Sequence, residues 1–424
     1  MTPPILYIDP GTGSMLFSVF IGVVATIFFL LRAAFIRLQL LFSSRKAREK
    51  ARGDRKKFVI YNEGRQYYNI FLPVLKAFER RQVTVDYLTG DSDDPLLKDN
   101  PFRFVRPEYI GSGNAAFARL NLLTADVLLA TTPGLDVYQW KRSKNVGHYA
   151  HIRHGTGDAT LYRMFGLDYF DSVLLTGDYQ MEDLRTLEKE RGIARKELVT
   201  VGCTYLDALA ERMREMDAGR EANDGREGRG PSEHTYTVLL SPSWGPNGIL
   251  SRYGEQLLDP LVASGMHIII RPHPQSRKSE PALLERLEEK YRGEANVEWN
   301  YDRDNLACLV RSDIMISDFS SIIFDYLFLC DRPVVYVNAD MDTRMCDAGD
   351  LDKRLWQFTT LEKCGIELRK EDFPRIGELL RNASDSEELA RNRAWAKSQA
   401  WMHQGEAGER TAEFMISKEQ KGGA

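Results

Sequence analysis

Asp313-Ile314-Met315-Ile316-Ser317-Asp318-Phe319-Ser320-Ser321 is a short apolar run that ends in a polar turn. The residues that follow, Ser320–Leu329, carry a helical pattern. A strand, a turn rich in hydroxyls and a helix make up the βα unit of an α/β sheet. The first amides of such a helix lack internal partners, and its dipole is positive there. That end suits a phosphate, held by free amides and by the Ser320 and Ser321 hydroxyls, with Ser317 and Asp318 beside them. Plain capping by Ser317 or Asp318 is the other use of the same residues. Asp325 stands one turn further on, in reach of a ligand hydroxyl.

Two more polar signatures follow apolar runs in the same way. Arg271-Pro272-His273-Pro274 comes after His267–Arg271, and the two prolines stiffen the loop and fix where His273 points. An arginine and a fixed imidazole suit negative charge developing on a leaving phosphate. His154-Gly155-Thr156-Gly157 comes after Tyr149–Arg153. Its glycines let the backbone approach a ligand, and His154 is a candidate general base toward an acceptor hydroxyl. His148 and His151 precede it at three-residue spacing, but no carboxylate or cysteine completes a metal set, so they are expected to pack or hydrogen-bond. Ser241-Pro242-Ser243-Trp244-Gly245 and Gly202–Asp207 also follow strands, which places Ser243 on a candidate ligand-lining loop.

Outward from these signatures the alternation continues. Phe58–Tyr61, Val83–Leu88, Asp126–Ala130, Tyr149–Arg153, Ser172–Thr176 and Leu198–Val201 read as strands, with helices at Tyr67–Arg80 and Tyr179–Arg191. A second block has strands at Tyr236–Leu240, His267–Arg271, Val297–Trp299, Asp313–Ser317 and Pro333–Val337. Its helices fall at Tyr253–Ala263, Pro281–Arg292, Asn305–Val310, Ser320–Leu329 and Phe373–Arg381. Ser384-Asp385-Ser386-Glu387 fits a capping box opening a further helix through about Met402. Residues 216–233, polar and rich in glycine, read as a linker between the blocks. The expected domains are 58–215 and 234–412, with a tail at 413–424. Two doubly wound sheets facing one cleft would gather the signatures at their strand ends.

The 424 residues exceed one ordinary domain, and the formal charge of −4 gives no sign of nucleic-acid binding. The five cysteines form no CxxC pair, which argues against a disulfide framework or a zinc cluster. No cofactor or metal requirement is expected. Gly11–Leu31 carries no charge, and about 20 such residues span a bilayer. A short segment 1–14, a transmembrane helix at 15–37 and a basic segment at 38–57 are therefore expected. Arg45, Lys46, Arg48, Lys50, Arg52, Arg55, Lys56 and Lys57 crowd the far flank, so the N-terminus is expected outside and the main body in the cytosol, against anionic lipid headgroups.

His154–Thr156, Arg271–Pro274 and Ser317–Ser321, in this order, resemble the HGT, RPHP and SD-aromatic-SS signatures of the CDP-glycerol glycerophosphotransferase family, the teichoic acid primases and polymerases. Phe324-Asp325-Tyr326 and Gly405–Arg410 are similar to further elements of that family, over roughly residues 145–412. The resemblance implies a GT-B-like fold of two Rossmann-like domains, with a final helix crossing back to the first. It implies transfer of an alditol phosphate from a CDP-activated donor to an envelope glycan or lipid-linked acceptor, with release of CMP. His154 would be the base, with Arg271 and His273 on the donor pyrophosphate. Ser317, Ser320 and Ser321 would hold the transferred phosphate, and Arg410 would add a substrate contact. Gly157 stands where the family has proline, and Asn338–Asp342 replaces its acidic patch, so the acceptor and the alditol stay open. A GT-B glycosyltransferase using a CMP- or UDP-sugar is the second reading, and a non-catalytic membrane-anchored scaffold the third.

Overall fold

The computed structural model describes residues 55–224, 235–302, 304–337, 341, 343–383 and 386–419, excepting the side chains of 219–224. The first half runs β1 (Lys56–Asn62), α1 (Tyr68–Arg81), β2 (Val85–Thr89), β3 (Val105–Tyr109), β4 (Ala125–Ala130), β5 (Val146–Ile152), β6 (Ser172–Leu175), α2 (Met181–Arg191), β7 (Glu197–Thr200) and α3 (Thr204–Asp224). The second runs β8 (Thr237–Leu240), α4 (Glu255–Ala263), β9 (His267–Ile270), α5 (Pro281–Tyr291), β10 (Val297–Trp299), β11 (Ile314–Ser317), α6 (Ile322–Cys330), β12 (Val334–Tyr336), α7 (Trp356–Cys364), β13 (Gly365–Glu367), α8 (Glu387–Ala400) and α9 (Ala407–Ser417). Shorter helical turns lie between them.

Every strand pair is parallel. The first sheet has seven strands in the order β3-β2-β1-β4-β5-β6-β7, and the second has six in the order β10-β9-β8-β11-β12-β13. Both orders reverse beside their first strand, between β1 and β4 and between β8 and β11. Those switch points are where ligands bind in open α/β sheets. Central strands such as β4, β8 and β11 are buried at every residue, so their sequences are continuous apolar runs rather than alternating ones. The two strands absent from the sequence reading, β3 and β13, are both edges. Pro107 sits within β3, where an edge tolerates a residue with no amide hydrogen.

Residues Lys56–Ala424 form one compact unit. The chain returns to the first sheet at its C-terminal end. α8 packs with α6 and α7, and α9 then lies on α1, burying Ala412, Phe414 and Met415 in the first sheet's core. The expected tail thus begins inside a helix. Its buried positions, Ala407, Gly408, Thr411, Ala412, Phe414 and Met415, make one helical face. Asp207, at the start of α3, holds this crossing by accepting from Trp401 Nε1, Gly405 N and Ala407 N at 2.8, 2.8 and 3.0 Å. The crossing backbone lies directly on Gly177, where an added Cβ would stand 1.9 Å from the Gln399 carbonyl oxygen. Gly177→Ala is therefore expected to lower stability by about 1–3 kcal/mol or more, because backbone must move. Thermal denaturation checks this, and an unchanged midpoint would contradict so close a seating.

Three other expectations are corrected. The linker at 216–233 is helical through Asp224, as the end of α3. Ala, Arg and Glu sustain a helix without an apolar stripe, and a lone Gly219 costs only about 1 kcal/mol. Lys56 and Lys57, expected in the basic segment, belong to β1 and pair with Asp86 and Glu419. The helix α8 is capped by Ser386 alone, whose Oγ accepts from Leu389 N at 3.2 Å, so no Glu closes a capping box. No helix among the described residues is long and apolar enough to cross a membrane. The span expected at 15–37 lies outside the described residues, as do residues 338–340 and 342.

Candidate functional site

All three signatures stand at carboxyl ends of strands, after β5, β9 and β11. The first and third meet. A Cβ built on Gly157 would lie 3.9 Å from Ser321 Cβ and 3.3 Å from Gln357 Oε1. The third is tied to the loop after β8, because Asp318 accepts from Ser243 N with both oxygens at 3.0 Å and from Ile249 N at 3.1 Å. That loop carries the half-exposed Trp244, whose ring lies 6.4 Å from the His273 ring. The signatures therefore form one continuous wall, with His154 at one end and His273 at the other.

The HGTG loop is fastened from both halves. The Gly157 carbonyl accepts from Gln180 Nε2 at 2.8 Å, from Tyr179 Oη at 3.1 Å and from Arg153 Nη2 at 3.2 Å. Asp158 reaches across to cap α7, accepting from Trp356 N at 3.2 Å and Gln357 N at 2.8 Å. A carboxylate at a helix N-terminus is favourable in charge as well as hydrogen bonding. Arg191 adds a second clasp, pairing with Asp168 and with Asp347 and Asp350 from the segment after β12. Gly155 faces open space and has no unusual φ, so its value is access rather than backbone freedom.

His154 is exposed. Desolvation, then the neighbouring Arg153 charge, push its pKa down to about 3, so the imidazole is neutral at pH 7. Its Nδ1 lies 2.8 Å from Tyr162 Oη, and the Tyr67 ring stands 6.0 Å away. His273 accepts from Gln275 N at Nδ1, 3.1 Å away, which places its proton on Nε2. Burial lowers its pKa too. The two imidazoles thus differ in use: His273 Nε2 is a donor, while His154 is a neutral candidate acceptor.

Several expected ligand groups are committed to the fold instead. Ser317 Oγ donates to the Ser241 carbonyl at 2.6 Å and is fully buried. Asp318 organises the loop after β8, and Ser243 serves that carboxylate. Arg271 is buried and spans to Asn300 Oδ1 and the Asp302 carbonyl, bracing the strand ends. Arg410 pairs with Glu406 one turn away on α9. The Thr156 side chain is buried, with its hydroxyl unpartnered among the described residues. Asp325 is buried in α6, and desolvation raises its pKa to about 8, so at neutral pH it offers a proton rather than a charge. His148 bonds Ser172 Oγ at 3.0 Å, and His151 packs against Phe170 and Tyr162.

Ser320 and Ser321 remain for a ligand. Ser321 is the N-cap residue of α6 and makes no side-chain cap bond. Ser321 is exposed and stands next to the HGTG loop. Ser320→Ala with Ser321→Ala is expected to leave the melting midpoint unchanged and to weaken binding of a CDP-alditol by roughly 10-fold or more, since hydrogen bonds to charged groups contribute ~1.5–3 kcal/mol. Calorimetric titration reads this directly, and an unaltered Kd would remove the phosphate from this turn. Tyr162, Tyr67, Tyr179, Arg153 and Asp158 were not singled out in the sequence. Arg153 and Asp158 flank the HGTG signature in sequence, whereas only the fold brings Tyr67, Tyr162 and Tyr179 to this loop.

Residues 182–349 match the family model described as CDP-glycerol:poly(glycerophosphate) glycerophosphotransferase. Over this segment the chain is similar to that glycerophosphotransferase family. The match includes Arg271–Pro274 and Ser317–Ser321, and ends short of His154 on the N-terminal side. Among solved structures, the wall teichoic acid polymerase TagF is similar with a TM-score of 0.57 and 15% identity, covering 88% of this chain and 91% of that one. A TagF form soaked with CDPG has a TM-score of 0.53 and 16% identity, covering 85% and 88%. The UDP-GlcNAc 2-epimerase of Methanocaldococcus jannaschii has a TM-score of 0.51 and 14% identity, covering 85% and 99%. At these identities the likeness establishes the fold, a GT-B-like pair of parallel sheets. No curated protein is similar enough in sequence to count as a relative.

Proposed function

We propose that this transferase moves an alditol phosphate, glycerol phosphate first among candidates, from a CDP-activated donor to a hydroxyl of an envelope glycan or lipid-linked acceptor. The observation that supports the reading is the meeting of the HGTG loop, which carries the neutral His154, with the start of α6, where Ser320 and Ser321 stand. The family match and the CDPG-soaked TagF relative support the donor class.

In the proposed reaction the acceptor oxygen gives its proton to His154 Nε2 and attacks the alditol-bearing phosphorus. The new phosphorus–oxygen bond forms as the bond to the bridging pyrophosphate oxygen breaks, and CMP leaves with that electron pair. His273 Nε2–H and the α6 amides with Ser320 and Ser321 stabilise the charge on the phosphates. Positioning and preorganised donors of this kind supply most of the rate in phosphoryl transfer. No metal is given a role in these steps, so chelator should leave the rate intact, and loss restored by magnesium would refute that part. Gly11–Leu31 and the basic residues after it support anchoring to a membrane with anionic lipids, with the catalytic body on the cytosolic side.

The experiment is a donor panel of CDP-glycerol, CDP-ribitol, CMP-sialic acid and UDP-sugars with membrane extract as acceptor. Acceptor-dependent CMP from a CDP-alditol alone is the expected result. Turnover only of a sugar nucleotide would move the chain to the glycosyltransferases.

A further inference from the structure

His151, Tyr162 and His154 form a hydrogen-bonded line that ends at the open edge of the site. Tyr162 Oη stands 2.8 Å from His154 Nδ1 and 3.2 Å from His151 Nε2. The rings pack edge to face or tilted, with centroids 5.3 Å apart for His151 and Tyr162 and 5.5 Å for His154 and Tyr162. Arg153 covers the Tyr162 ring, its guanidinium carbon 4.5 Å from the centroid. Arg153 is itself held by the Gly157 and Asp158 carbonyls. Tyr162 therefore has one ring position, set by Arg153 on its face and by His151 at its hydroxyl.

A single phenolic proton cannot serve both imidazoles. At least one histidine therefore donates to Tyr162 Oη. His151 is completely buried against Phe170, where a second proton would place an unshielded charge, so it stays neutral. A base at His154 needs a bare Nε2, and then Nδ1 carries the proton and donates to Tyr162 Oη, which donates in turn to His151 Nε2.

We infer that Tyr162 is a positioning residue that holds the His154 ring and fixes its Nδ1–H tautomer, with His151 as the buried anchor of the line. This rests on the proposed base role of His154 and adds the element that makes that role possible. The arrangement parallels the general rule that the partner of one ring nitrogen decides the state of the other. No proton passes beyond the line, because His151 does not take a second one. The acceptor proton is held at His154 Nε2 and returned to solvent.

The test uses the full chain with 15N-labelled histidine, comparing wild type with Tyr162→Phe, which keeps the ring beneath Arg153. His151→Gln, at the other end of the line, is the second variant. The expected result is an Nδ1-protonated His154 in wild type, read from its ring nitrogen shifts. In Tyr162→Phe the signal moves toward the Nε2–H form, kcat falls roughly 10–100-fold, as for other partners that orient a functional histidine, and donor Kd is unchanged. Unchanged tautomer and kcat in both variants would overturn the inference. So would a fall in kcat with the His154 shifts unmoved and donor affinity lost, which is the signature of a packing defect. If His154→Ala leaves kcat intact while Tyr162→Phe still moves the shifts, the base reading fails and the positioning assignment stands.

Discussion

Replacing His154 with alanine is expected to lower kcat by roughly 10²–10⁴-fold, the usual contribution of a positioned general base, while donor affinity stays near wild type. The split follows from position. His154 stands on the HGTG loop, and His273 and the α6 turn, proposed to hold the donor, keep their own contacts without it. Its pKa, pushed down by desolvation and by Arg153, fixes the pH behaviour as well. An imidazole with a lowered pKa remains unprotonated as pH falls through 6.5, so the acid limb of kcat/KM should lie below the ordinary histidine range. A limb centred near 6.5, or equal losses of kcat and donor binding in the alanine variant, would remove His154 from the base role.

Asp325→Asn is expected to stabilise the protein at pH 7. Burial raises the Asp325 pKa from 3.8 to about 8. Between those values the folded chain holds a proton that the unfolded chain releases. The unfolded state binds fewer protons, so stability falls as pH rises from about 4 to about 8. A tenfold change in proton affinity corresponds to about 1.4 kcal/mol, which makes the effect at pH 7 on the order of a few kcal/mol. Below about pH 4 both states are protonated and the contribution is fully present. The neutral amide removes this dependence, so the variant should have a higher melting midpoint at pH 7 and a smaller advantage at pH 5. Parallel pH–stability curves for the two proteins would show that Asp325 is not held neutral.

The fold was legible wherever burial made the sequence simple. Strands β4, β8 and β11 are apolar throughout because both faces are covered, and the polar turns after β5, β9 and β11 stood out against them. Edges were not legible: β3 has a proline, and β13 is only Gly365–Glu367. The end of α3 was misread because polar residues without an apolar period also make a helix when propensity suffices. The three signatures all stand at carboxyl ends of strands, as their pattern suggests, but the pattern does not reach the atoms. Sequence cannot say whether a hydroxyl or guanidinium faces a ligand or braces its own loop. Ser317, Asp318 and Arg271 brace, whereas Ser320 and Ser321 stand at an uncapped turn. Tyr162 meets His154, and Asp158 meets the start of α7, only through the fold, so no local pattern announces either contact.

The decisive measurement is nucleotide release by the full-length protein given CDP-glycerol, with and without membrane-derived acceptor, alongside His154→Ala. The account predicts CMP release that requires acceptor, is matched by alditol phosphate incorporated into the acceptor, and is abolished in the variant. Release of CMP that is indifferent to acceptor and to His154, or no turnover of any CDP-alditol by a protein that turns over a sugar nucleotide, would contradict it.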